Sequence, residues 1–127
     1  MILDLEGRRA VVTGGSRGLG YGIAQALHDS GAEVIITGRT GRALEAAAEI
    51  GSSGPSAYGV TGDLSRQQQR ETVCEQILEI YNGRVDILVN AAGTLNRCAA
   101  FEVTQEDWNE VLELNLNAVF FMSQRIG

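Results

Sequence analysis

Apolar positions along this chain of 127 residues follow two alternating periods. Short runs rich in Val and Ile at 9–13, 33–37, 56–61 and 85–90 predict four β-strands. The last run is almost unbroken, the pattern of a strand buried on both faces of a parallel sheet. Between these runs the spacing becomes helical. Over 18–30, Leu19, Ile23, Ala26 and Leu27 share one face, and Gly31 stands where a helix C-cap belongs. Thr40 is placed to cap a short second helix carrying Leu44, Ala47 and Ala48, which fades at Gly51. Ser65-Arg66-Gln67-Gln68 has the form of a capping box, opening a third helix with Val73, Ile77 and Ile80 on one face. Thr104 caps a last helix that runs to residue 127.

Strands separated by helical patterns of about 10–15 residues imply crossovers, a parallel sheet and helices on both faces. The predicted fold class is therefore α/β: a doubly wound, Rossmann-type parallel sheet in strand order 3-2-1-4. Its ligand belongs over the strand carboxyl ends, at the switch between strands one and four. No repeat or linker interrupts the pattern, so residues 1–127 read as one domain, able to bury roughly two thirds of its unfolded surface. The last helix is apolar on two sides: Trp108, Leu112, Asn115, Val119 and Met122 on one, Val111, Leu114, Ala118 and Phe121 on another. The sheet covers one side. The other needs a further segment or a second subunit, which predicts a homo-oligomer formed through this helix.

Charge and composition narrow the function. A net charge of −6 leaves no basic stripe for nucleic acid. No apolar run approaches the roughly 20 residues of a membrane helix, and Met1-Ile2-Leu3-Asp4-Leu5-Glu6 lacks a basic, signal-like start, so a cytoplasmic location and no membrane are expected. Cys74 and Cys98 have no Cys/His cluster around them, so no metal site is expected and Cys74 reads as a small buried apolar residue. His28, the only histidine, reads as a solvated residue near the negative end of its helix. Every basic residue is Arg; the chain contains no Lys.

The chemistry concentrates where the first strand ends. Ala10-Val11-Val12-Thr13-Gly14-Gly15-Ser16-Arg17-Gly18-Leu19-Gly20 passes from an apolar run through a glycine-rich turn into a helix. Glycines let backbone approach a pyrophosphate, and the free N–H groups of the following helix attract its charge. The spacing is Gly-x-x-x-Gly-x-Gly rather than Gly-x-Gly-x-x-Gly.

With Gly62-Asp63-Leu64-Ser65, Asn90-Ala91-Ala92-Gly93 and Asn115-Leu116, this turn resembles the N-terminal half of the short-chain dehydrogenase/reductase family across almost the whole chain. The resemblance implies that Gly14 and Gly18 make the turn and that Gly20 packs the first helix against the sheet. It puts Ser16, Arg17 and Leu19 near the cofactor's phosphates and ribose. Asp63 and the Leu64 amide would meet the adenine, with a plain turn role for Asp63 as the alternative. Asn90, Ala91 and Gly93 would pass beneath the nicotinamide ribose, Ala91 replacing the family's second Asn. Asn115 matches the catalytic Asn that holds a water of the proton relay; a helix-bending Asn is the alternative, and Asn117 lies too far along to fit.

Where a member selecting NAD carries an acid at the end of strand two, this chain has Gly38-Arg39. Arg39 and Arg17 would flank a 2′-phosphate, so the resemblance implies NADP(H) ahead of NAD(H), unless both arginines are merely solvated. A methyl-donor-binding transferase shares the glycine turn but wants an acid where Gly38-Arg39 stands. The family's acid/base is a Tyr followed four residues later by Lys, with a Ser before it. Here Tyr21, Tyr58 and Tyr81 are followed at that spacing by Gln25, Gly62 and Val85. The expected function is thus an NADP-dependent oxidoreductase acting on a small carbonyl or alcohol substrate, with this chain lacking the catalytic segment and inactive alone. The alternative is a non-catalytic module that binds a dinucleotide or pairs with another subunit. Thr94-Leu95-Asn96-Arg97, Glu106-Asp107-Trp108 and Val119-Phe120-Phe121-Met122-Ser123-Gln124 are similar to the gluconate and deoxygluconate dehydrogenases, which makes Arg97 a candidate for a substrate carboxylate, if it is not simply an exposed loop residue.

Overall fold

A computed structural model describes residues 4–92, 105–106 and 126. Its strands β1 (Arg9–Thr13), β2 (Glu33–Gly38), β3 (Ala57–Thr61) and β4 (Ile87–Asn90) form one parallel sheet in the order β3-β2-β1-β4. The helices between them are α1 (Gly18–Asp29), α2 (Arg42–Ile50) and α3 (Gln67–Ile80). In register, Val11 lies beside Ile35 and Leu88, and Ile35 beside Tyr58.

Alternation along the strands sends side chains to two cores, as a doubly wound sheet requires. Val11, Ile35 and Val60 point to the α3 face, where they meet Val73, Cys74, Ile77 and Tyr81. Ala10, Val12, Val34 and Ile36 point to the α1–α2 face. There the inner surface of α2 is Ala43, Ala46, Ala47 and Ile50, small enough to draw the helix onto β3. A Cβ on Gly59 would lie 2.6 Å from the Ala43 carbonyl oxygen. Each Val or Ile buried here contributes roughly 1.5–3 kcal/mol. Cys74 is buried, as its helical position implies.

The end of α1 follows its sequence closely. Gly31 takes a positive φ of 104°, its amide bonds to the His28 carbonyl, and the Ala32 amide bonds to the Leu27 carbonyl. This pair of bonds satisfies the helix's last carbonyls.

Four local expectations are corrected. The Ser65 capping box does not form: α3 starts at Gln67 with Arg66 as N-cap and no side-chain cap, because the Ser65 hydroxyl donates to the charged carboxylate of Asp63 at 2.6 Å. Gly41, not Thr40, is the N-cap of α2, and the Thr40 hydroxyl accepts from the Arg42 amide at 3.3 Å. His28 is buried rather than solvated, its Nε2 2.7 Å from the Pro55 carbonyl oxygen, because the loop before β3 folds over the end of α1. Finally, Ile87, Leu88 and Val89 are only partly buried, because among the described residues β4 pairs with β1 alone. Thr104 and the two apolar faces predicted for the last helix lie outside the described residues. No described helix is long and apolar enough to cross a membrane.

Candidate functional site

The carboxyl ends of the strands enclose a cleft of about 330 Å³ lined by Gly14, Ser16, Arg17, Thr37, Gly38, Arg39, Thr40, Gly62, Leu64, Ala91 and Ala92. Backbone bonds lash its walls together. The Gly15 amide donates to the Thr37 carbonyl at 3.2 Å, and the Gly62 amide to the Gly38 carbonyl at 2.9 Å. The Thr13 hydroxyl donates to the Val89 carbonyl and accepts from the Ala92 amide, fastening the end of β4 to the end of β1.

Two glycines of the turn are sterically obligatory. Gly14 has φ of +65°, and a Cβ there would lie 2.7 Å from the Cα of Ala92. A Cβ on Gly20 would strike the Gly14 carbonyl oxygen. The close approach at Gly20 is to the turn that continues β1. The turn is thereby pressed between α1 and the end of β4, with its backbone facing the cleft. Arg17 is the N-cap of α1 in extended conformation, no side chain caps the helix, and its first turn carries no acid. Uncapped N–H groups and the positive end of the helix dipole suit a phosphate.

Charge in the cleft is opposite in sign to that of the chain. Arg17 and Arg39 are exposed, and neither has a side-chain hydrogen bond or ion pair with a described residue. Gly38 supplies no carboxylate. A Cβ there would crowd the Ser16 hydroxyl at 3.1 Å and the Ala43 methyl at 3.2 Å, so an acid at this position requires its neighbours to give way.

Asp63 stands behind Gly62. Its Oδ1 accepts from the Ser65 amide at 3.0 Å and the Ser65 hydroxyl at 2.6 Å, while Oδ2 is 3.6 Å from Arg66. Partial burial pushes its pKa up, but the Ser65 bonds, together with Arg39 and Arg66, outweigh that and hold it below the ordinary carboxylate value. It is a charged turn residue within electrostatic reach of Arg39.

Of the residues singled out in the sequence, Gly14, Ser16, Arg17, Arg39, Leu64 and Ala91 line this one cleft. Gly18 and Gly20 open α1 behind it, Leu19 is 79% exposed, and Asn90 ends β4 opposite Thr13. Gly93, Arg97 and Asn115 lie outside the described residues. Sequence reasoning missed Thr37 and Thr40. The signal for them is polar residues flanking Gly38-Arg39 where an apolar strand ends. Tyr21, Tyr58 and Tyr81 are absent from the cleft, and Tyr81 is buried at its far side with its hydroxyl donating to the Ala10 carbonyl at 2.8 Å.

Comparison with known proteins agrees with this geometry. The sequence model of a family described as short chain dehydrogenase matches residues 8–126. The chain is 36% identical over 124 residues to a 2-dehydro-3-deoxy-D-gluconate 5-dehydrogenase of Bacillus subtilis, covering 98% of this chain and 48% of that protein. It is equally 36% identical, over 126 residues, to the 3-oxoacyl-[acyl-carrier-protein] reductase FabG of Aquifex aeolicus, covering 98% and 50%. Among solved structures, a short chain dehydrogenase from Burkholderia cenocepacia in complex with NADP superposes with a TM-score of 0.89 at 35% identity, covering 96% of this chain and 50% of that one. The chain spans about half the length of the curated relatives it matches.

Proposed function

Because this chain belongs to the short chain dehydrogenase family, we propose that it is the dinucleotide-binding domain of an NADP-dependent oxidoreductase acting on a small carbonyl or alcohol compound. The observation carrying this reading is the cleft itself: a glycine turn shaped by Gly14 and Gly20, beside two arginines that no described side chain hydrogen-bonds or ion-pairs. The residues present fit the cofactor, since the turn is bare backbone at Gly14 and Gly20, where a Cβ has no room, and the donors are cationic. The bound nicotinamide supplies or accepts the hydride.

Turn amides and Ser16 would hold the pyrophosphate, and Arg17 and Arg39 the 2′-phosphate. Asp63 and the Leu64 amide would face the adenine. Asn90, Ala91 and Gly93 would lie under the nicotinamide ribose, and Asn115 would hold a water for proton transfer. Sugar acids are the proposed substrates, met by Arg97; the deoxygluconate dehydrogenase relative supports this class, while the equal identity to the acyl-carrier-protein reductase marks the competing one. No Lys is present in the 127 residues. These residues by themselves would therefore bind cofactor without turning substrate over, and the helix predicted from the sequence around Phe121 would drive self-association.

Titration with both cofactors tests the reading. NADPH binds at least about tenfold tighter than NADH, the worth of one good charge-assisted contact to phosphate, and Arg39→Asp erases or reverses the difference. Equal affinities in the unaltered chain would overturn it. Turnover by this chain well above an Asn115→Ala control would refute the claim that these residues bind cofactor without turning substrate over.

A further inference from the structure

Arg17 and Arg39 reach the cleft from separate segments, the turn before α1 and the end of β2, so recognition of one phosphate by both depends on what fixes their separation. Behind the cleft, three side chains converge. Arg42, the first residue of α2 and three positions after Arg39, donates from Nε to the Ser16 carbonyl at 3.2 Å. Its Nη1 and Nη2 donate to the two oxygens of Glu49 at 2.8 and 3.2 Å. Glu49 also accepts from the Tyr21 hydroxyl at 3.0 Å, and the guanidinium lies over the Tyr21 ring, 5.8 Å from its centre. One rigid fork thus joins the turn, α1 and α2.

Neither stability nor simple charge accounts for this cluster. The ion pair is partly exposed, so solvent screening limits what it adds to folding. Glu49, with Glu45 at 3.6 Å, offsets the charge of Arg42, and Arg42 is not among the residues lining the cleft. Its remaining bond holds the backbone of Ser16, whose hydroxyl packs against Gly38. Hydrogen bonding to Arg42 and Tyr21 holds the Glu49 carboxyl below its ordinary pKa, keeping the acceptor charged.

We infer that Arg42 is a positioning residue for cofactor selection: oriented by Glu49 and Tyr21, it clamps the Ser16 carbonyl to α2 and so sets the spacing of Arg17 and Arg39 around a 2′-phosphate. The inference rests on the NADP reading above and assigns that selectivity to residues outside the cleft. Lysine cannot replace Arg42, because a single ammonium does not reach Ser16 and both Glu49 oxygens in one plane.

Dissociation constants for NADPH and NADH, measured on the full chain and on its Glu49→Gln, Tyr21→Phe and Arg42→Lys variants together with thermal midpoints, test this. Glu49→Gln weakens NADPH about fivefold and NADH less than about twofold, the scale of one hydrogen bond, with a midpoint within about 2 °C. Arg42→Lys keeps the charge and does not restore the ratio; Tyr21→Phe shows a smaller loss of the same kind. A purely electrostatic role predicts the opposite sign, since removing the Glu49 charge near a dianion would tighten NADPH, and that result overturns the inference. Parallel losses for both cofactors with a falling midpoint also overturn it, as those of an ordinary helix staple. An unaltered chain with no NADPH preference sinks the NADP reading and this inference with it. A preference that the variants leave unmoved sinks this inference alone.

Discussion

Arginines at the amino ends of the strands and the two that line the cleft at the carboxyl ends are used differently. At the amino ends Arg8, Arg9 and Arg84 are all engaged. Arg9 donates from Nε to Glu33 at 3.2 Å and from Nη1 to the Tyr81 carbonyl at 2.6 Å, with its guanidinium 5.6 Å from the centre of the Tyr81 ring. Arg84 bonds the Gly7 carbonyl and Asp86, and Asp86 in turn accepts the Arg9 amide at 2.8 Å. At the carboxyl ends Arg17 and Arg39 line a cleft with no such partners among the described residues. A saturated network fixes strand register and leaves nothing for a ligand. Unengaged guanidiniums beside an uncapped helix hold their hydrogen-bonding capacity in reserve. The contrast separates residues kept for folding from residues available for binding within one chain.

The largest effect is expected where the amino-end network meets the core. Tyr81→Ala removes a buried ring and the hydroxyl bonded to Ala10, at a cost of about 3–5 kcal/mol in denaturant unfolding. Tyr81→Phe, which keeps the ring, costs about 1 kcal/mol and leaves the ratio of NADPH to NADH affinity unchanged. A shift in that ratio would show that the two ends are not independent.

Next is Gly20→Val, which pushes a side chain into the Gly14 carbonyl. Overpacking costs about 1–3 kcal/mol, and affinity for both cofactors falls more than about tenfold because the turn is displaced. Retained affinity would mean that the turn is not the phosphate cradle.

A smaller effect belongs to acid unfolding. The backbone bond from Arg9, aided by Arg84 and Arg8, holds Asp86 below its ordinary carboxylate pKa of 3.8. A depressed folded-state pKa contributes stability above 3.8 that is lost as pH falls through the lower value. Asp86→Asn therefore flattens the acid limb of a thermal midpoint against pH profile below about pH 4, and an unchanged limb would exclude this carboxylate from the network's stability. Smallest of all, Arg17→Gln and Arg39→Gln change stability by less than about 0.5 kcal/mol, since no described partner is lost. A larger change would mean that these arginines serve the fold after all.

Local and periodic features were legible in the sequence. The β1 run, the Gly31 cap, the sheet order and the glycine turn follow from spacing within a few residues. What escaped depends on partners distant in the chain. Ser65 looks like a cap until Asp63, turned by its own loop, offers a charged acceptor. Burial of His28 requires the carbonyl of Pro55, and the grip of Arg42 on Ser16 requires Glu49 and Tyr21. The resemblance offered Gly20 as a helix-packing glycine, but its contact with Gly14 is seen only in the structure, because spacing does not name the neighbour. Arg39 was legible as a candidate only because strand two ends without an acid.

Calorimetric titration with adenosine 2′,5′-bisphosphate against 5′-AMP tests the central claim most directly, since the two ligands differ only in the phosphate assigned to the unengaged arginines. The bisphosphate should bind at least about tenfold tighter, with the advantage shrinking as salt rises. Equal affinities at low salt would contradict the assignment of Arg17 and Arg39 to a 2′-phosphate.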